Sequence, residues 1–196
     1  MQILKGSYRM RRLIVSTYMT LDGVIQPLDW SAQNAIQSAM EERGTYARDL
    51  LFAADALLLG RETYEIFADV WPTRSAADDG PGEEGCVDRI NGLPKYVASR
   101  TLREATWNAT LIRGDIAAEV VRLKDQLGQN ILKYGTGELD RTLMQHNLVD
   151  EFHLWVFPVA VGAGQRLFDG IDTTHLKLVD TTRFDSGIVV LVYAPS

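Results

Sequence analysis

The chain has 196 residues, 46% of them hydrophobic and 23% charged, enough to build the core of one domain. A net charge of −6 and a pI near 5.1 argue against a broad nucleic-acid surface and against docking on anionic lipid, while leaving room for a local cationic pocket. Cys86 is the only cysteine, which excludes a disulfide framework and suits a reducing cytoplasm, and no apolar run approaches the roughly 20 residues of a membrane span.

Residues 1–10 carry basic side chains but no apolar stretch followed by a cleavage site. They read as an N-terminal arm, with Met10 an alternative start, and residues 11–196 as the domain. Leu13–Tyr18 is rich in β-formers and leads to the turn pair Asp22-Gly23. A polar, poorly periodic segment follows over 26–42 and contains Trp30. Tyr46, Leu50, Ala53 and Ala54 form a helical stripe that runs into Ala56–Gly60, an apolar run without alternation, as in a strand covered on both faces. Arg61–Val70 reads as a helix with Tyr64, Phe67 and Trp71 turned into the core.

Trp71–Gly92 reads as one long loop rich in Gly, Pro and Asp, of a length that in compact domains goes with function or motion. Strands are expected at Lys95–Ser99, Thr110–Arg113 and Ile131–Tyr134, and helices at Ile116–Leu127 and Gly137–Asn147. Three more strands close the chain at Asp150–Phe157, Leu176–Thr181 and Ile188–Tyr193, with no helix between the last two. This order predicts a single α/β domain: a mainly parallel, twisted sheet with helices on both faces and an antiparallel C-terminal edge. Ligands of such sheets sit at the carboxyl ends of the strands.

Gly135-Thr136-Gly137 stands where an expected strand hands over to a helix. Helix N-termini present unpaired N–H groups, and glycine admits an oxyanion close to the backbone, so phosphate binding is one reading. A tight turn that needs φ > 0 is the other. Glu138 and Asp140 in the first turn suit the helix dipole but repel phosphate unless they point away. Gly60-Arg61-Glu62-Thr63 repeats the arrangement after a second strand, and Ser99-Arg100-Thr101 after a third. Arg61 and Arg100 together make a candidate clamp for a phosphomonoester. Asp140 occupies the third position of G-x-G-x-x-G, so the ordinary dinucleotide fingerprint is not met. Asp22 is read first as a turn residue and second as a catalytic acid, and Trp30 as a substrate-pocket residue. His146, His153 and His175 lack metal-ligand spacing, no metal site is expected, and Cys86 has no partners that would make it a nucleophile.

Together "TLDGVI" (20–25), "LLLGRETYE" (57–65), "KYVASRTL" (95–102) and "YGTGELDRTLMQHNLVDEFHLWVFPVAVGAGQRLF" (134–168) resemble the dihydrofolate-reductase-like family, over about residues 11–195. The branch they resemble most is the one related to the C-terminal reductase domain of riboflavin biosynthesis. The resemblance implies NADPH as cofactor. Arg61 is then the residue at the 2′-phosphate, with Ser99 and Arg100 on the adenine side. Thr63 and Gly135-Thr136-Gly137 fall at the pyrophosphate, with Gly60 before them and Glu138 and Leu139 opening the helix behind. Tyr18 and Ile25 offer backbone groups to the nicotinamide, and 26–42 becomes the loop over it.

The chain departs from riboflavin-pathway reductases in having Tyr134-Gly135-Thr136 where they carry Glu-Gly-Gly. It departs from folate reductases in having no matching acid on the first helix, near Ser38. The resulting expectation is hydride transfer from NADPH to a small heterocycle of the pterin or aminopyrimidine kind, by a cytoplasmic homodimer with neither nucleic-acid nor membrane partner. The alternative is an NADP(H)-binding regulatory or interaction protein without turnover. Phe152–Phe157 is read either as a dimer surface or as core.

Overall fold

The computed structural model describes residues 9–26 and 40–196. In chain order it runs β1 (Arg9–Met10), β2 (Leu13–Thr20), β3 (Val24–Gln26), α1 (Met40–Phe52), β4 (Ala54–Gly60) and α2 (Arg61–Val70). Next come α3 (Cys86–Gly92), β5 (Lys95–Ala98), β6 (Ala109–Ile112), α4 (Ile116–Lys124), β7 (Leu127–Gly128), β8 (Asn130–Tyr134) and α5 (Glu138–Gln145). The chain closes with β9 (Glu151–Phe157), β10 (Gln165–Arg166), β11 (Leu176–Arg183) and β12 (Val189–Pro195).

Eight strands form the central sheet in the order β11-β12-β9-β2-β8-β4-β5-β6. The run from β9 through β2, β8, β4 and β5 to β6 is parallel throughout, and β12 and β11 add to β9 antiparallel. Strands in the middle of a parallel sheet bury both faces, which is why Leu13-Ile14-Val15 and Leu57-Leu58-Leu59 are unbroken apolar runs, each residue at most 1% exposed. Alternate residues serve opposite cores. Leu13, Val15, Leu58 and Ile131 pack beneath α4 and α5, while Ile14, Leu57, Leu59 and Leu132 pack toward α1, α2 and α3. Full burial of each such side chain contributes about 1.5–3 kcal/mol. A third cluster, built on Trp155, Phe157, Phe184 and Ile188, holds the antiparallel end.

The expected α/β architecture is thus present, with four local differences. The 71–92 segment is not one loop: it contains α3 and short 3-10 turns at Trp71–Thr73 and Ala76–Asp78. The helix was hidden because its cap comes from a distance. Gly85 precedes it in the left-handed region (φ 82), and the Asp79 carboxylate accepts from the amides of Gly85 (2.7 Å) and Val87 (2.9 Å). Arg9 and Met10, expected in the arm, belong to the fold: β1 pairs antiparallel with β7, which takes Leu127 out of the expected helix. Phe152–Phe157 lies inside the sheet between β12 and β2, with Trp155 1% exposed, so of its two readings core is the one present. Phe67 and Trp71 are only partly buried and wall a cavity described below, while Tyr64 is core as expected.

Among the described residues no helix is long and apolar enough to cross a membrane, and no group of His, Cys, Asp and Glu is placed to hold a metal ion.

Candidate functional site

β8, β4 and β5 are neighbours in the sheet, and their register pairs Leu59 with Tyr134 and Gly60 with Ala98. The residues that follow each strand therefore emerge at one level, side by side. They line a groove of about 440 Å³: Gly60, Arg61 and Thr63 from one strand end, Ser99, Arg100 and Thr101 from the next, and Thr136 to Leu139 from the third.

The groove carries groups suited to a phosphate. Thr136 lines it, and its Oγ1 is buried without a hydrogen-bond partner among the described residues. A buried hydroxyl left in that state costs about 1–3 kcal/mol, which a ligand oxygen would relieve. The amides of Glu138 and Leu139 open α5 and have no acceptor within the helix. Leu139's side chain is turned into the core, so only its backbone is offered. Arg100 is exposed and has no ion-pair partner among the described residues. Arg61 is held by Glu65 (2.9 Å) and Glu62 (3.4 Å), exposed pairs that a dianion can displace. Ser99 Oγ accepts from the amides of Leu102 (2.9 Å) and Thr101 (3.3 Å), which fixes the turn and leaves its own hydrogen free to donate. The groove is not uniformly cationic, since the exposed Glu62 and Glu138 also line it.

The two glycines do different work. Gly135 has φ 79, and a Cβ there would lie 2.0 Å from Thr63 Oγ1, so glycine is what allows the loop to close on α2. Gly137 has φ 149, and nothing lies within 4 Å of an added Cβ, so its requirement is conformational and its outer face is open. Beneath the loop, Lys133 Nζ donates to Gly135 O (2.6 Å) and to Asp140 Oδ1, while Asp140 Oδ2 accepts from Gly137 N (2.9 Å). Asp140 thus points under the loop, away from a phosphate. Burial lowers the Lys133 pKa against the opposing pull of Asp140.

A second cavity, about 390 Å³, adjoins the groove and shares Glu62, Thr63, Tyr134 and Thr136 with it. Its walls are aromatic and aliphatic: Tyr18, Phe67, Trp71, Ile66, Leu51 and Ile90. Phe67 stacks at a tilt with Trp71 (5.9 Å) and with Tyr134 (6.0 Å). Burial drives the Tyr18 and Tyr134 hydroxyls above their usual range, so both stay protonated. Burial also pushes the Cys86 thiol up to about 11, so it is no nucleophile at neutral pH. Glu83 completes the lining. It stands in Gly80-Pro81-Gly82-Glu83, where neither periodicity nor a motif marks a side chain. One local signal was Gly44 within α1, where a Cβ would meet Pro81 O at 2.5 Å and Glu83 Cγ at 2.9 Å.

Other expected site residues fall elsewhere. Asp22 accepts from Thr20 Oγ1 (2.6 Å), Gly162 N (2.8 Å) and Val161 N (3.3 Å), and these bonds, that of Thr20 first, bring its carboxyl down to about 2. It is ionised at neutral pH and pins the 161–162 loop beside its own turn, where Gly23 has φ 82. The turn reading fits it, and it lines neither cavity. Ile25 is 1% exposed and lines neither cavity. Trp30 and most of the 26–42 segment lie outside the described residues.

Comparison with known proteins agrees with this fold. The RibD C-terminal domain family matches residues 11–190. The uncharacterised protein YyaP of Bacillus subtilis (strain 168) is 32% identical over 193 residues, spanning 96% of this chain and 97% of its own. The uncharacterised YwjB of the same organism is 27% identical over 179 residues, covering 91% and 95%. Among solved structures, a Shewanella sp. PV-4 protein named for riboflavin biosynthesis superposes with a TM-score of 0.66 at 20% identity, covering 94% of this chain and 99% of its own. RibD of Acinetobacter baumannii gives 0.62 at 14% identity, over 95% of this chain and 58% of that one.

Proposed function

The chain belongs to the RibD C-terminal domain family, and from that premise we propose that it is an NADPH-dependent reductase of a small nitrogen heterocycle. The observation that carries this reading is the adjacency of the two cavities: a polar groove with phosphate-compatible groups and an aromatic chamber share Thr63 and Thr136 in their walls. A dinucleotide has the same two-part chemistry, with phosphates at one end and a flat ring at the other.

In this reading Arg61 and Arg100 take the 2′-phosphate and Ser99 lies on the adenine side. Thr63, the Thr136 hydroxyl and the amides of Gly137, Glu138 and Leu139 serve the pyrophosphate. Gly60 and Gly135 let the backbone come close. Tyr18 borders the nicotinamide end, where Ile25, its side chain buried, offers only its backbone. When bound, NADPH supplies a hydride to the carbon of an electron-poor C=N or C=O, whose nitrogen or oxygen gains a proton. The chain's own contribution is to hold the acceptor in line and to keep bulk water from its apolar walls. Asp22 lines neither cavity, and in this reading the proton comes from a water molecule. A cytoplasmic homodimer is the setting that goes with this proposal.

The test is a titration of wild type and Arg61→Ala with NADPH and NADH. Loss of one charge-assisted contact should weaken NADPH about tenfold and leave NADH unchanged. Equal loss for both nucleotides refutes the role of Arg61. No thermal stabilisation by millimolar NADPH refutes the cofactor, because a ligand of the native state must raise stability. Tight binding without loss of nicotinamide absorbance across a metabolite panel supports the alternative, a nucleotide-binding regulator.

A further inference from the structure

The aromatic chamber has a charge pattern that bears on its occupant. Its described lining contains two carboxylates, Glu62 and Glu83, and neither lysine nor arginine. The stretch 27–39, outside the described residues, includes Asp29 as its sole charged side chain. The cations near the site belong to the adjoining groove, namely Arg61, Arg100 and, beneath the loop, Lys133. Two further cations act on wall residues: Arg48 on Cys86, and Arg43 on Tyr18 in opposition to Glu83. Neither lines the chamber.

Glu83 is set apart from Glu62. Glu62 is exposed and pairs with Arg61, whereas Glu83 is partly buried, and no hydrogen bond or ion pair engages its carboxylate among the described residues. Its stem lies against Gly44 of α1, and its Oε2 would be 3.1 Å from a Cβ on Gly80, so the side chain has little freedom to swing away. Its field reaches Tyr18, Tyr134 and Cys86, all residues of the chamber wall.

We propose that the chamber selects an unphosphorylated, planar nitrogen heterocycle and that Glu83 is the specificity residue, accepting N–H donors from an amino-substituted edge of the ring. Beside the nicotinamide at Tyr18, a flat ring fits against Phe67, Trp71 and Tyr134, whose faces favour it by stacking. An uncompensated carboxylate in an apolar cavity favours a donor edge, above all an amidine-like one that presents two parallel N–H groups. The same carboxylate, with no cation in the chamber's described lining, disfavours a phosphate on the ligand. The reductase named for 5-amino-6-(5-phosphoribosylamino)uracil acts, by its name, on a phosphorylated compound. The chamber described here assigns this chain a different ligand. The inference rests on the reductase reading for the identity of the chamber but not for its charge pattern.

The test uses the full chain, with wild type, Glu83→Gln and Glu83→Ala. Each is titrated calorimetrically with 2,4-diaminopyrimidine and with 5-amino-6-ribosylaminouracil, with and without its 5-phosphate. NADPH affinity and thermal midpoint are measured alongside as controls. The expected result is that wild type binds the diaminopyrimidine and that Glu83→Gln weakens it about 10- to 100-fold while NADPH affinity and midpoint are kept. The phosphorylated uracil should bind at least about tenfold more weakly than its dephosphorylated form. The proposal is overturned if the phosphate tightens binding, or if Glu83→Gln leaves the diaminopyrimidine affinity unchanged in a variant that still takes up NADPH. Failure to bind NADPH in wild type overturns the reductase reading, whereas failure of the heterocycle arm alone leaves it standing.

Discussion

At the scale of single residues, the buried polar groups show how burial and hydrogen bonding decide protonation. His153 is 8% exposed, with Nδ1 2.6 Å from the Tyr46 hydroxyl and Nε2 2.8 Å from Glu151 Oε1. A neutral ring with its proton on Nε2 satisfies both contacts, donating to Glu151 and accepting from Tyr46. Burial lowers the His153 pKa below 6.5 against the opposing pull of Glu151. Burial alone would raise Glu151, but hydrogen bonds from His153 and Arg12 outweigh it and hold the carboxyl below its usual range. The sign for stability follows. Between the folded pKa of His153 and 6.5 the unfolded chain binds more protons, so the native state is favoured fully above 6.5 and loses this contribution as pH falls below it. The thermal midpoint of wild type should therefore drop from about pH 7 to about pH 5, and His153→Gln should flatten part of that slope. Scanning calorimetry of both proteins at matched ionic strength checks this. Parallel slopes would show that the imidazole stays uncharged in neither state more than the other.

At the scale of elements, the unit that matters most is β8 with its loop and α5. Lys133 and Asp140 sit seven residues apart and are both nearly inaccessible, joined across the loop they support. Removing one member leaves the other charged in an apolar site, and such single losses cost about 3–5 kcal/mol, whereas replacing both by apolar groups is often close to neutral. Lys133→Met should therefore lower stability by about that amount, and Lys133→Met with Asp140→Leu should recover much of it. Urea unfolding with an unchanged slope reads the difference. A single-variant cost below about 1 kcal/mol would mean that the pair is solvated and does not hold the loop. This unit also shows the limits of the sequence. The glycines and the strand-to-helix handover were legible because turn chemistry is local. The support was not, since Lys133 and Asp140 look like alternating surface charges until the loop folds back. Glu83 and the cap of α3 were hidden for the same reason: each works across a gap in sequence that no period spans. The apolar runs Leu13-Ile14-Val15 and Leu57-Leu58-Leu59 were plain because a strand buried on both faces favours apolar residues at consecutive positions.

At the scale of the whole molecule, the sheet has two unlike flanks. The parallel flank carries the site, while the antiparallel flank ends in β11, a strand exposed along nearly all its length. There Leu178 is 49% and Val179 55% exposed, side by side on the outermost strand. Between Leu178 and Asp180 the register with β12 shifts, so Val179 is bulged out of the ladder. A bulge on an edge discourages simple strand addition by another chain. A second copy would therefore meet this flank through side chains rather than by extending the sheet. That assigns the proposed homodimer to β11 rather than to Phe152–Phe157, which the sheet has already enclosed. Covering a large apolar side chain gains about 1.5–3 kcal/mol, and a two-fold contact counts each residue twice. Replacing both Leu178 and Val179 by Asp should turn dimer into monomer at micromolar concentration. Their exposure means that the fold of the isolated chain loses little. Light scattering coupled to gel filtration reads the mass, and far-UV circular dichroism checks the fold. A wild-type chain that runs as a monomer at every concentration removes the homodimer, and a variant that remains dimeric moves the interface to another face.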